Sequence, residues 1–316
     1  MKMVMKLIDK EDITSNKHRK EFYDMIERIK TILSTEDKMS VRQIFYQTAV
    51  NKFVELNIEG YNKVVRLCKD GRLEGLIPWE KIVDRSRFSS QIDMWNNPDE
   101  FYDTVQGLYR RNIWDNQPGY FEFWLEKAAL YDIFADVIHQ HGILLMPIRG
   151  FSSLSIIHER SLTFKKYIKE GRKCKILYFG DHDPSGLVID QSIRSSFKEL
   201  KCDVDIERVG LTYDDIFNFN LPANIEKEKD TNLSNYKERG YELQAELDAL
   251  PVSELKKRIY DSMVQNLDME KYKEHWDIEQ RESAVIKIDL AYIRKLRSVD
   301  KESDKETDIE SDETGD

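Results

Sequence analysis

The sequence predicts an α/β protein whose second half is a doubly wound, mostly parallel sheet, preceded by a smaller helical domain. Three observations carry this. From Tyr120 onward, short apolar or alternating runs (FEFWLE, GILLMPI, KILYFG, VDIERVGL) take turns with helical stretches, the alternation of βαβ units. The run Ile176–Phe179 stops at Gly180 and is followed at once by DHDPSG, as when a buried strand delivers carboxylates to a sheet edge. Before residue 90, apolar residues recur at helical spacing instead.

In order, residues 1–38 read as a helical segment with Phe22, Met25, Ile26, Ile29, Ile32 and Leu33 on one face. Ser40 and Gln43 form a capping box opening SVRQIFYQTAVNKFVEL, whose stripe is Val41, Ile44, Phe45 and Thr48. Arg42 and Tyr46 lie one turn apart on its flank, predicted to be near water. An Arg beside a partly exposed Tyr could hold a phosphate next to a phenolic nucleophile, or simply pack at a helix edge. The next helix, EGYNKVVRLCKDGRL, is predicted to bury Tyr61, Val64, Val65 and Cys68 and to show Lys63, Arg66, Lys69 and Arg72. GLIPWEKIVDRSR then reads as a strand pair closing on Asp84, Arg85 and Arg87. Three helices and a β-wing make residues 39–95 a winged helix, with the basic face as a phosphate-contacting surface. Residues 96–119 read as a connection, 120–270 as the sheet domain, 271–298 as a C-terminal helix and 299–316 as a disordered acidic tail.

Composition sets the setting. The chain of 316 residues carries a net charge of −10, of which −7 falls in Asp300–Asp316, so the body is nearly balanced. An N-terminal apolar h-region and an apolar run of the roughly 18 residues of a membrane span are both missing. The three cysteines, Cys68, Cys174 and Cys202, are scattered without a CxxC, which indicates neither a disulfide framework nor a structural zinc site and fits a reducing cytoplasm.

The chemistry concentrates at two strand ends. Glu126 closes FEFWLE, while Asp181 and Asp183 follow KILYFG; right-handed crossovers put both ends on one sheet edge. Three carboxylates without His or Cys favour Mg²⁺ or Mn²⁺. An EF-hand reading of D-x-D-x-S-G fails because Ser192 stands where the closing Glu belongs. An Asp-rich turn, with Asp183 capping the helix that opens at Pro184, is the other reading.

WLEKAAL followed by YFGDHDPSG, with LP, a charged stretch and ELDAL downstream, resembles the TOPRIM domain of the topoisomerase VI A subunit and of the protein that makes meiotic double-strand breaks. VRQIFY resembles the Arg-x-x-(Tyr/Phe)-Tyr segment of the winged-helix (CAP-like) domain preceding TOPRIM there. The resemblance covers roughly residues 20 to 270. It implies Mg²⁺ on Glu126, Asp181 and Asp183, and Tyr46 attacking double-stranded DNA beside Arg42. It also implies a homodimer in which the tyrosine of one subunit meets the metal site of the other. Topoisomerase A subunits carry more sequence ahead of the winged helix to dock an ATPase B-type subunit. The reading here is therefore a compact stand-alone relative of prokaryotic or viral origin. Related TOPRIM proteins, such as the nuclease of the Wadjet plasmid-defence system, hydrolyse DNA without a tyrosine. Sequence thus leaves tyrosine transesterification, metal-dependent hydrolysis and a non-catalytic DNA-binding module as the expectations.

Overall fold

The computed structural model describes residues 10–35, 38–82, 92–148, 154–222 and 232–312. The chain divides into two compact units, one of Met1–Phe88 with Gly119–Asn266 and one of Ser89–Pro118 with Leu267–Asp316.

In the first unit, α1 (Lys10–Ser34), α2 (Val41–Val50) and α3 (Ile58–Leu73) pack against one another. Helix α1 buries Met25, Ile26, Ile29, Ile32 and Leu33, as its periodicity predicts. The Ser40–Gln43 capping box is formed, with Gln43 N–H donating to Ser40 Oγ and Ser40 N–H to Gln43 Oε1. The second helix ends at Val50 rather than running to Leu56. In α3 the buried stripe is Gly60, Val64, Leu67, Cys68 and Gly71. Val65 is exposed and Tyr61 half-buried, because the stripe follows a 3.6-residue period through Leu67. The strand pair expected after α3 is not found among the described residues up to Ile82. Trp79–Lys81 is a 3₁₀ turn after Pro78, and Ile82 makes one parallel bridge to Met39. Asp84, Arg85 and Arg87 lie outside the described residues.

The sheet is α/β and all-parallel, four strands in the order β2-β1-β3-β4: β1 (Gly119–Leu125), β2 (Leu145–Pro147), β3 (Lys173–Phe179) and β4 (Asp205–Gly210). Between them run α5 (Tyr131–Ile138), α6 (Leu154–Lys169) and α7 (Pro184–Glu199). Alternation along β1 sends Tyr120 to Phe164 of α6 and Trp124 to Phe197 of α7, while Phe123 meets Phe134 of α5 on the other face. Both faces of β1 and β3 are covered, which is why these two strands read as near-continuous apolar runs, whereas β4 at the edge carries Asp205, Glu207 and Arg208. The chain winds outward from β1 to β2, then returns to β3 and β4, so the β1/β3 boundary is the switch point where such sheets bind ligands. After β4 come α8 (Tyr213–Asn218), α9 (Leu233–Glu238), a turn at Leu247–Ala249, and α10 (Val252–Asn266), which packs on α5.

The second unit pairs α4 (Pro98–Leu108) with α11 (Met269–Asp312). Arg294 bridges to Asp103, and Glu282 accepts from Tyr109 Oη at 2.6 Å and from Arg111 at 2.6 Å. The segment expected to be a plain connection therefore folds on the C-terminal helix, held by polar pairs that local patterning does not reveal. The backbone of α11 continues to Asp312, through residues expected to be disordered. Among the described residues no helix is long and apolar enough to cross a membrane.

Candidate active site at the carboxyl edge of the sheet

Glu126 and Asp181 meet where β1 and β3 end. Glu126 N–H donates to Phe179 O (2.8 Å), extending the ladder by one bond, and its Oε2 accepts from Tyr178 Oη (3.1 Å) and from Asp181 N–H (3.2 Å). Gly180 makes this approach possible, since a Cβ there would lie 2.4 Å from Glu126 Oε2 and 2.5 Å from Tyr178 Oη. Burial, then the neighbouring Asp181, push the Glu126 carboxyl up to about 7 against the Tyr178 hydrogen bond, and Asp183 adds to the rise.

Asp183 is the N-cap of α7, its Oδ1 accepting from Gly186 N–H at 2.6 Å. The helix-capping reading of that residue is therefore correct in geometry. The three predicted carboxylates share one edge, yet among the described residues no three metal-ligating side chains converge as a metal ion needs. Asp181 is turned instead toward an ammonium group, Lys127 Nζ at 3.0 Å from its Oδ1. The same oxygen accepts from Leu247 N–H (2.7 Å). Glu126 and Asp181 are the residues of this edge that could hold a hard divalent cation.

Sequence reasoning missed the rest of this cluster. Lys127 Nζ also contacts Glu246 Oε2 (2.7 Å) and Asp248 Oδ1 (3.6 Å). Arg42 pairs with the same Glu246 and, through Nε, with Asp248 Oδ2 at 3.5 Å. Burial works against the Lys127 charge, but Asp248, Asp181 and Glu246 outweigh it and hold the ammonium protonated. Glu246 is likewise opposed by burial, yet Lys127 and Arg42 bring it down to about 2. Asp248 is only 1 % exposed and neither of its carboxylate oxygens has a hydrogen bond, so burial raises it despite Lys127. These residues arrive because His182 and Ala245 exchange backbone hydrogen bonds (3.0 Å each way), tying the segment before the Leu247–Ala249 turn to the Asp181–Asp183 loop. Arg208 braces the loop from below, donating to the carbonyls of Gly180, Asp181 and Gly186. The only sequence signals were the Lys after Glu126 and the acids of ELDAL.

Arg42 and Tyr46 are neighbours, as their one-turn spacing predicts, and the Tyr46 hydroxyl hydrogen-bonds to Arg42 and Glu246. The expectation that both lie near water is wrong for Tyr46. It is only 3 % exposed, whereas 47 % of the Arg42 side chain is open. The Leu247–Ala249 turn packs on α2 and covers the flank that a helical wheel assigns to solvent. Burial, then Glu246, push the Tyr46 phenol well above its ordinary value, with Arg42 opposing. A single chain thus links Tyr46 through Glu246 and Lys127 to Asp181.

The predicted basic face divides. Lys63, Arg66 and Lys69 are exposed, while Arg72 is half-buried, donating to Cys68 O and lying over the Trp79 ring at 4.9 Å. Searches of protein-family models, curated proteins and solved structures gave no match to this chain.

Proposed function

We propose that this protein cleaves DNA with a divalent metal ion, by attack of Tyr46 on a backbone phosphate. The observation that supports it is that Arg42 and Tyr46 join, through Glu246 and Lys127 of the same chain, the Asp181 end of the sheet edge, so that the in-chain pairing proposed here takes the place of the between-subunit one that the resemblance implies. The reading includes a winged-helix-like unit (α1–α3) ahead of a TOPRIM-like sheet, in line with the VRQIFY and DHDPSG resemblances.

In the attack, the bond from Tyr46 Oη to phosphorus forms as the bond from phosphorus to the 3′ oxygen breaks, the phenolic proton passing to solvent and the 3′ oxygen leaving as a hydroxyl protonated from solvent, with a 5′-phosphotyrosyl link as the product. Before that, the phenolic proton sits in a hydrogen bond with Glu246, which orients the hydroxyl. Arg42, half open to solvent, supplies a guanidinium to phosphate oxygens. Glu126 and Asp181 would hold Mg²⁺ or Mn²⁺, with Asp183 at the rim, and a bound ion there supplies charge neutralisation at the phosphate. Lys127 keeps Asp181, Glu246 and Asp248 compatible with an approaching polyanion. In a homodimer, two such events on opposite strands make one double-strand break, and a C₂ arrangement suits a duplex.

The burial of Tyr46 favours one alternative, hydrolysis at the same edge with water in place of the phenol. Supercoiled plasmid incubated with Mg²⁺ or Mn²⁺, stopped with detergent and run with and without protease, separates the two. Broken DNA that enters the gel only after protease, and is absent with Tyr46→Phe, is the expected result. Free-ended products from both proteins would establish hydrolysis.

A further inference from the structure

Beside the proposed nucleophile, α2 and the start of α3 border an open cavity of about 320 Å³ lined by Arg42, Phe45, Tyr46, Leu56, Asn57, Ile58 and Tyr61. That lies at the lower end of ligand-binding cavities, roughly 300–1,000 Å³. Besides the exposed Asn57 amide, its walls are of three chemical kinds. Phe45 and Tyr61 stand edge to face, centroids 5.4 Å apart, and Tyr61 is half-buried, leaving part of its ring to a visitor. Leu56 and Ile58 form an aliphatic rim, with Ile58 71 % exposed at the mouth. Arg42, which also pairs with Glu246 and Asp248, adds the open part of its guanidinium side chain beside Tyr46. An occupant that satisfies all three is planar and aromatic at one end and anionic at the other.

We propose that this cavity receives one unstacked nucleotide of the DNA chain, next to the phosphate presented to Tyr46, so that single-stranded or distorted DNA is the preferred substrate. The inference rests on the reading above and names its substrate class. The base packs against Tyr61 and the aliphatic rim, in a space with room for one nucleoside, while its phosphate faces Arg42. A base inside an intact duplex is covered on both faces by its neighbours and reaches such a cavity only by leaving the stack, so an unpaired strand is favoured because it need not be unstacked and unpaired first.

The test is made without divalent metal, so it is independent of cleavage. The full chain is irradiated with a single-stranded oligonucleotide carrying one 5-iodouracil, and the crosslinked peptide is mapped by mass spectrometry. Label on Phe45 or Tyr61 is expected, at least tenfold weaker with the matching duplex. Ile58→Trp, a change at an exposed position that plugs the mouth, is expected to cut the label about tenfold, and Ile58→Val to keep it, with circular dichroism unchanged in both. Label confined to the Lys63–Lys69 face, or equal labelling of Ile58→Trp and wild type, overturns the inference. A chain that crosslinks at Tyr61 but never cuts DNA would leave the cavity standing and remove the cleavage reading. A chain whose Ile58→Trp variant cuts DNA like wild type would do the reverse.

Discussion

Glu122 and Glu126 stand four residues apart, one inside β1 and one just past its end, and their surroundings are opposite in kind. Glu122 is fully buried yet complete: Tyr120 Oη donates to it at 2.8 Å, Trp124 Nε1 at 2.9 Å, and the Arg160 guanidinium pairs with it. Glu126 is offered a phenol and one backbone N–H, with Asp181 and Asp183 close enough to raise it. A buried acid with its own cation holds the fold together. One whose neighbours are also acids is stabilised only by a proton or an added cation.

The largest expected effect breaks the completed half of that comparison. Arg160→Met leaves the Glu122 charge buried without its partner and is expected to cost about 3–5 kcal/mol in denaturant unfolding. A loss within experimental error would show that Glu122 does not depend on Arg160.

Next comes the pH dependence of Glu126. Its folded value, about 7, lies above the ordinary 4.5, so the folded state holds the proton more tightly. This contribution is fully present below about pH 4.5 and is lost as pH rises through 7, a swing of about 3 kcal/mol without metal. Glu126→Gln is expected to flatten that slope and to be the more stable protein at pH 8. Mg²⁺ is expected to raise the melting temperature of wild type at pH 8 and leave Glu126→Gln unmoved. Parallel pH profiles for the two proteins would contradict the assignment.

The smallest of the three is Gly180→Ala. Its Cβ would press on Glu126 Oε2 and Tyr178 Oη, for an expected loss of about 1–3 kcal/mol together with the Mg²⁺ response. A substitution that kept the response would mean that the close approach at Gly180 is not what sets Glu126.

The two strand ends were legible in the sequence because their signals are local. An apolar run that halts at Glu126 or Gly180 marks an edge, and parallel winding puts both edges together. Asp183 was legible twice over, as a ligand and as a cap, and the geometry gives the cap. What could not be read was long-range. Tyr46 is covered by a turn some 200 positions downstream, and a helical wheel carries only its own helix. Glu246 and Asp248 reach the site through a single backbone bridge to His182, which has no periodicity to betray it. The second unit hid for the same reason, since Tyr109, Arg111 and Arg294 find their partners across the α4–α11 interface.

The most direct measurement is of the covalent product itself. Wild-type protein is incubated with DNA and Mg²⁺, quenched with detergent, digested with nuclease and protease, and the peptide containing Tyr46 is weighed by mass spectrometry. A mass increase of a 5′-linked nucleotide on Tyr46, missing when Glu126→Gln or Asp181→Asn is used, is the predicted result. Cleaved DNA with Tyr46 unmodified throughout would contradict tyrosine attack and leave the carboxylate edge as a hydrolytic site.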